Sequence, residues 1–124
     1  MRRKPLSYDP AEFLELAEKL VGDADYEEMG RSRTATGRAY YAAFLMVKKK
    51  LEELGCSFRE VHKLHQDVIE RLREKNSATA NKLYTLRERR VDADYKMNAE
   101  MNVITARNCV RLSRIILNSL SELG

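Results

Sequence analysis

Arg38-Ala39-Tyr40-Tyr41-Ala42-Ala43-Phe44 is the stretch from which the architecture is read. An arginine opens an otherwise apolar segment. From it, Tyr40, Phe44, Val47, Leu51 and Leu54 recur at alternating four- and three-residue steps, the signature of one helix face. The pattern predicts a helix from near Ser32 to Leu54, ended by Gly55. A helix this long, apolar along one side, belongs at the centre of a bundle.

The flanking sequence supplies its neighbours. Asp9-Pro10-Ala11-Glu12 offers a capping acid, a proline at the first helical position and a glutamate two residues on, so a first helix runs to about Val21. Phe13, Leu16, Ala17 and Leu20 form its expected stripe, Gly22 offers a left-handed exit, and Asp23 to Gly30 reads as an acidic connection. Ser57-Phe58-Arg59-Glu60 has the form of a capping box, predicting a third helix to about Lys75 through Val61, Leu64, Val68 and Leu72. After a break at Asn76 and Ser77, a fourth helix is expected over Ala78 to Val91, with Leu83, Leu86 or Arg87, and Arg90 on one side. A last helix, about Ala99 to Leu123, carries Val103, Ala106, Val110, Ser113, Leu117 and Leu120 on one face. Ile104, Ile115 and Ile116 widen that face beyond one stripe, as a bundle centre or a dimer seam requires. The expected fold is an all-α, up-and-down bundle of about five helices, one domain over residues 1–124.

Composition excludes several classes. With 34% charged and 44% hydrophobic residues and only 5 Gly and 2 Pro, neither a disordered nor a loop-rich chain is expected. Cys56 and Cys109 stand alone, which gives no disulfide framework or zinc knuckle and points to a reducing cytoplasm. Three basic residues near the start are followed by no apolar stretch of the kind a leader has. The longest apolar run, Ala39 to Val47, is far short of a bilayer span, so no membrane role is expected. Residues 1–28 hold 4 Lys/Arg against 8 Asp/Glu, whereas residues 29–124 hold 19 against 11. A basic surface able to meet phosphates is thereby separated from an acidic first helix, although solvated helix faces account for the same charge. Lys48-Lys49-Lys50 is explained more simply by the negative end of its own helix.

Arg90-Val91-Asp92-Ala93-Asp94-Tyr95 gathers a cation, two carboxylates and a phenol within six residues. Together with the R-A-Y-Y-A-x-F segment at Arg38, this R-x-x-A-D-Y segment resembles the HEPN superfamily, in the branch that carries both segments. The resemblance runs from about Ser32 to Leu120. It implies a small helical protein of the kind that includes RNases and toxins paired with minimal nucleotidyltransferases. It further implies a homodimer whose two copies of Arg90 to Tyr95 face a shared cleft. The usual signature is an arginine that holds the scissile phosphate and, a few residues on, a histidine that moves protons. Arg90 matches the arginine, and its planar, permanently charged fork suits a phosphate. Tyr95 stands where the histidine would be, and Val91 where a polar residue is usual. A phenol titrates near pH ~10 and is a poor general base at neutral pH.

The residues assigned to chemistry on this basis are Arg90, Asp94 and Tyr95, with Arg38, Arg87 and Arg90 as phosphate or RNA ligands. The structural alternative is that Arg90, Asp94 and Tyr95 stitch the turn between the fourth and fifth helices, Asp94 accepting from backbone amides or from Arg38. Tyr40 and Tyr41, among apolar neighbours, read as core aromatics. His62 and His65 share a helix face but lack a helical E-x-x-H or a third ligand, so packing is expected rather than metal binding. No metal or other cofactor is implied, and no glycine-rich phosphate loop, G-x-S-x-G or H-E-x-x-H motif occurs. Two functions follow from the resemblance. One is an RNA-directed, toxin-like component acting without metal, and the other a non-catalytic nucleotide- or RNA-binding partner of a nucleotidyltransferase, with Tyr95 as a target for modification. An adaptor without a nucleic-acid role is the third reading.

Overall fold

Helix α2 (Glu28–Glu53) carries the Arg38 segment and forms the common wall of the molecule, against which α1 (Ala11–Gly22), α4 (Ser77–Tyr95), α5 (Val103–Ser119) and, more lightly, α3 (Leu64–Lys75) pack. Short 3-10 turns precede α3 at Val61–Lys63 and follow α5 at Leu120–Glu122. This computed structural model describes residues 9–124, so the basic start at Arg2, Arg3 and Lys4 lies outside the described residues. The expected all-α bundle of five helices is what forms, with no strand among the described residues.

Small residues let the helices approach α2 closely. Ala35, Ala39, Ala42 and Ala43 are all fully buried, and Ser113 Oγ of α5 donates to the Ala39 carbonyl at 2.7 Å. Tyr40, Phe44, Val47 and Leu51 fill the centre against Leu72, Leu83, Leu86 and Ile116. Truncating any one of these leucines to alanine would cost about 2–5 kcal/mol, because the remaining close-packed wall relaxes only in part.

Several predicted boundaries move. Helix α1 begins at Ala11, one residue after the expected Pro10, which stands at its N-cap, while Asp9 Oδ1 accepts from the Ala11 amide at 3.0 Å. The buried stripe is Leu14, Ala17 and Val21, with Phe13 and Leu20 at its flanks and Leu16 46% exposed. Gly22 closes α1 without a left-handed residue, since Gly55 is the one positive-φ glycine among the described residues. Helix α2 begins four residues before Ser32, with the acid Glu28 in its first turn. There Arg31 Nη1 reaches back to the Val21 carbonyl at 2.9 Å.

At the other end of α2, Gly55 (φ 100°) makes a Schellman closure. The Cys56 amide bonds the Leu51 carbonyl at 2.9 Å and the Gly55 amide that of Glu52 at 3.0 Å. The capping box at Ser57 does not form: residues 56–60 stay non-helical, Phe58 packs against the core, and Val61 is 82% exposed. Tethering Phe58 outweighs the local signal, and α3 starts at Leu64 instead. Asn76 and Asn102 cap α4 and α5, accepting from the amides of Thr79 at 3.0 Å and Thr105 at 2.9 Å. The α5 face is Ala106, Cys109, Ser113 and Ile116, so Ile116 belongs to the core while Ile104 is 69% exposed.

Candidate functional site

Helix α4 continues through Tyr95, four residues past its expected end, so Arg90 and Asp94 lie one turn apart on one helix rather than across a turn. Local amides satisfy only part of that turn, the Lys96 amide reaching the Asp92 carbonyl at 3.2 Å and the Ala99 amide that of Lys96 at 3.1 Å, and nothing in its sequence satisfies the carbonyl of Ala93. Arg33 of α2 does so: its Nη1 donates to the carbonyls of Asp92 (3.1 Å), Ala93 (2.7 Å) and Lys96 (3.1 Å). Its Nη2 donates to those of Met97 (3.4 Å) and Ala99 (2.6 Å). A guanidinium at the negative end of a helix that has no basic residue in its own last turn is favourable twice over, by hydrogen bonding and by the dipole.

Arg90 is held on two sides. Its Nη2 donates to the Tyr41 hydroxyl at 2.6 Å, and its Nε stands 2.9 Å from Asp94 Oδ2. The second contact is an ion pair without the alignment of a hydrogen bond, so the buried Nε–H has no acceptor. The guanidinium also lies 5.0 Å from the centre of the Tyr41 ring and 5.4 Å from that of Tyr95, in cation–π range of both. The Arg90 side chain is only 15% exposed, whereas Tyr95 is 68% exposed. Gly37 faces Asp94, a Cβ there falling 3.6 Å from Oδ1.

Beside this group lies a second layer. Tyr40, fully buried, meets His65 Nδ1 of α3 through its hydroxyl at 2.5 Å. The His65 ring stacks on Phe44 with centroids 4.1 Å apart and meets Tyr41 edge-on at 6.3 Å. Burial, then the nearby charges of Arg87 and Arg90, hold the His65 imidazole below its ordinary pKa, while burial pushes the Tyr40 phenol far up. Arg87 makes no hydrogen bond or ion pair among the described residues. On its outer side α4 borders an open cleft of about 320 Å³, lined by Tyr84, Arg87, Glu88, Val91, Asp92 and Lys96, where Lys96 pairs with Asp92 at 3.0 Å.

Of the residues singled out in the sequence, Arg90, Asp94 and Tyr95 are brought together, and Arg87 lies one helical turn away on the same helix. Arg38 is engaged elsewhere, its guanidinium 5.1 Å over the Phe13 ring, and Asp94 takes Arg90 as its partner instead of Arg38. Tyr40 is a core aromatic as expected, and Tyr41 is an Arg90 ligand. Sequence reading missed Arg33 and the link from His65 to Tyr40. The available signal was that Arg33 shares a helix face with the buried Thr36 and Tyr40, one and two turns on. His65 is a packing histidine, His62 is exposed, and no group of three His, Cys, Asp or Glu able to hold a metal occurs among the described residues.

An all-helical bundle that sets an arginine-led polar cluster on the last turns of its fourth helix is the architecture the HEPN resemblance implied. The HEPN domain family model matches residues 11–123, nearly the whole chain, and the protein belongs to the HEPN family. No curated protein matches it. Among the described residues no helix is long and apolar enough to cross a membrane.

Proposed function

We propose that this protein is an RNA-directed, toxin-like HEPN component that recognises phosphate without metal through Arg90 and Arg87. One observation carries the reading: two guanidiniums stand on one stretch of α4 with binding capacity to spare among the described residues, Arg87 without a hydrogen bond or ion pair and Arg90 with a buried Nε–H lacking an acceptor. A phosphate oxygen in the place of the Asp94 carboxylate would supply that acceptor and satisfy the fork bidentately. Asp94 thus acts as a placeholder, keeping Arg90 oriented and its charge balanced while no phosphate is bound. Exposed Ile104 and Ile115 on α5 favour a homodimer, and a minimal nucleotidyltransferase is the partner that membership in this family supports.

The test is RNA binding by Arg90→Ala over a range of salt. Loss of affinity together with a salt slope shallower by about one is expected if Arg90 meets a phosphate. Unchanged affinity with a large fall in melting temperature would make Arg90 a clasp between α2 and α4. A second reading, a non-catalytic partner modified at Tyr95 by a nucleotidyltransferase, is favoured by the exposure of that phenol at the end of α4. A nucleotide adduct that appears on the wild type and not on Tyr95→Phe would support it.

A further inference from the structure

Proton chemistry in the family's signature belongs to a histidine on α4, and this chain has none there. Its only two histidines are His62 and His65, and the second lies against the Arg90 group from a different helix. The hydrogen-bond inventory around His65 fixes what that ring presents. Tyr40 is fully buried and has no hydrogen-bond partner but His65 Nδ1 among the described residues, so its hydroxyl proton must point at that nitrogen or remain unpaired in the core. With Nδ1 accepting, the neutral imidazole carries its proton on Nε2. No protein group among the described residues accepts from Nε2, yet that atom is not sealed from solvent, as the unpartnered buried atoms are Arg31 Nε, Ser32 Oγ and Arg90 Nε. The result is an N–H donor with no acceptor among the described residues, within the electrostatic reach of Arg87 and Arg90.

Tyr41 completes the picture. Its oxygen accepts from Arg90, which leaves the hydroxyl proton available, and its ring meets that of His65 edge-on. Three helices therefore contribute donors around one location: Tyr41 from α2, His65 from α3, and Arg87 with Arg90 from α4.

Building on the RNA-directed reading above, we propose that His65 is a phosphate ligand of this site, its Nε2–H donating to a non-bridging oxygen of the RNA phosphodiester that Arg87 and Arg90 bind. The role is recognition, with no bond broken. The titratable and charged groups facing the ring are Tyr40 and Tyr41 of α2 and Arg87 and Arg90 of α4. In the free protein burial, and after it the charges of Arg87 and Arg90, disfavour a charged imidazole. An arriving phosphate offsets both arginine charges and adds an anion of its own, so it favours protonation of His65 at Nδ1, the Tyr40 hydroxyl then turning to accept from that nitrogen. Binding is then linked to proton uptake, and affinity rises as the pH falls through the bound-state pKa of His65, levelling off below the free-state value.

Because His62 is exposed and His65 half-buried, proton NMR of the two imidazole Hε1 signals reads the site with an internal control. The probe is a short single-stranded RNA, with inorganic phosphate in a parallel arm. Saturating RNA is expected to raise the His65 titration midpoint by ~1 pH unit and leave His62 in place, with RNA binding about tenfold tighter at low pH than at high. A shift with inorganic phosphate alone and none with RNA would assign the site to small anions and overturn the RNA ligand. If RNA binds in an Arg90-dependent manner and His65 does not move, His65 only packs; the proposal fails while the RNA-directed reading stands. If RNA does not bind the wild type at all, both fail. A double variant, Tyr40→Phe with His65→Phe, retains the stacked rings and strands no hydroxyl, so it separates packing from donation. It is expected to bind RNA about tenfold more weakly, the scale of one lost hydrogen bond to a charged group, at nearly unchanged melting temperature. Wild-type affinity in that variant would also overturn the proposal.

Discussion

Nη1 of Arg33 lies 2.7 Å from the carbonyl oxygen of Ala93, and the same guanidinium reaches the carbonyl of Ala99 at 2.6 Å, six residues later. One side chain of α2 therefore ties both the end of α4 and the connection to α5. Replacing it with alanine leaves the carbonyls of Ala93, Met97 and Ala99 without a hydrogen-bond partner among the described residues. Arg33→Ala is expected to lose about 2–3 kcal/mol, a fall of roughly 10 °C in melting temperature for a chain of this size. Faster amide exchange should be confined first to residues 96–102, next to the untied carbonyls. Arg33→Lys should restore only part of the loss, because a point charge cannot span both sets of carbonyls. A melting curve identical to wild type for Arg33→Ala would show that water serves those carbonyls equally well.

Asp94 and Tyr41 hold Arg90 in different ways, and their removal should have opposite effects. Asp94→Asn withdraws an exposed carboxylate that competes with phosphate, so RNA affinity should rise several-fold for a stability cost below ~1 kcal/mol. Tyr41→Phe removes the acceptor 2.6 Å from Nη2 and should lower both affinity and stability, the latter by about 1 kcal/mol. Filter binding and thermal melts on the two variants decide the matter. Weaker binding by Asp94→Asn would mean that the carboxylate positions Arg90 and does not merely stand in for phosphate.

The two cysteines should differ sharply in reactivity. Burial pushes the Cys109 thiol up to about 11, while Cys56 is half-exposed after the α2 turn. Labelling with a thiol reagent near neutral pH should modify Cys56 first and Cys109 only on unfolding. The sign of the linkage follows from the raised value: the folded state holds this proton more tightly, so its stabilising contribution is complete below about pH 9 and is lost as pH rises towards about 11. Equal labelling rates in the native protein would contradict the buried placement.

What could be read in the sequence follows the range of the forces involved. The α2 face at Tyr40, Phe44, Val47 and Leu51 was legible because helical periodicity is local, and the same is true of Val68 and Leu72 on α3. Boundaries failed where a distant partner decided them. The last turn of α4 extends to Tyr95 where Arg33, some sixty positions away, takes up the carbonyls of Asp92 and Ala93, and residues 56–60 stay non-helical where Phe58 packs against the core. At the site, the grouping of Arg90, Asp94 and Tyr95 was visible in the sequence, whereas the i, i+4 pairing of Arg90 with Asp94 depends on the extension of α4 to Tyr95, and its second holder, Tyr41, is a feature of how α2 and α4 cross. Arg38 looked equivalent to Arg90 in one dimension, but its place on the α1 side of α2 gives it Phe13 instead.

Tyr95 ends α4 with its ring 5.4 Å from Arg90 and most of its surface in solvent, at the place where the family's usual signature has a histidine. A phenol there can donate to a phosphate oxygen, but it is a poor acceptor for the proton of an attacking 2′-hydroxyl at neutral pH. Wild-type cleavage of RNA is therefore expected to be weak or undetectable, and Tyr95→Phe should leave RNA affinity unchanged within about twofold, since the ring still covers Arg90. Tyr95→His places an imidazole beside the same guanidinium and should raise cleavage if Arg90 and its neighbours are otherwise arranged for in-line attack. The measurement is incubation with mixed RNA, with and without chelator, scored for cyclic-phosphate ends. Chelator-resistant ends from Tyr95→His and few from the wild type would place this chain as a binder that retains a nuclease's scaffold. Silence from both, with a nucleotide adduct forming on wild-type Tyr95 in the presence of a nucleotidyltransferase, would replace the RNA-directed reading with that of a modified partner.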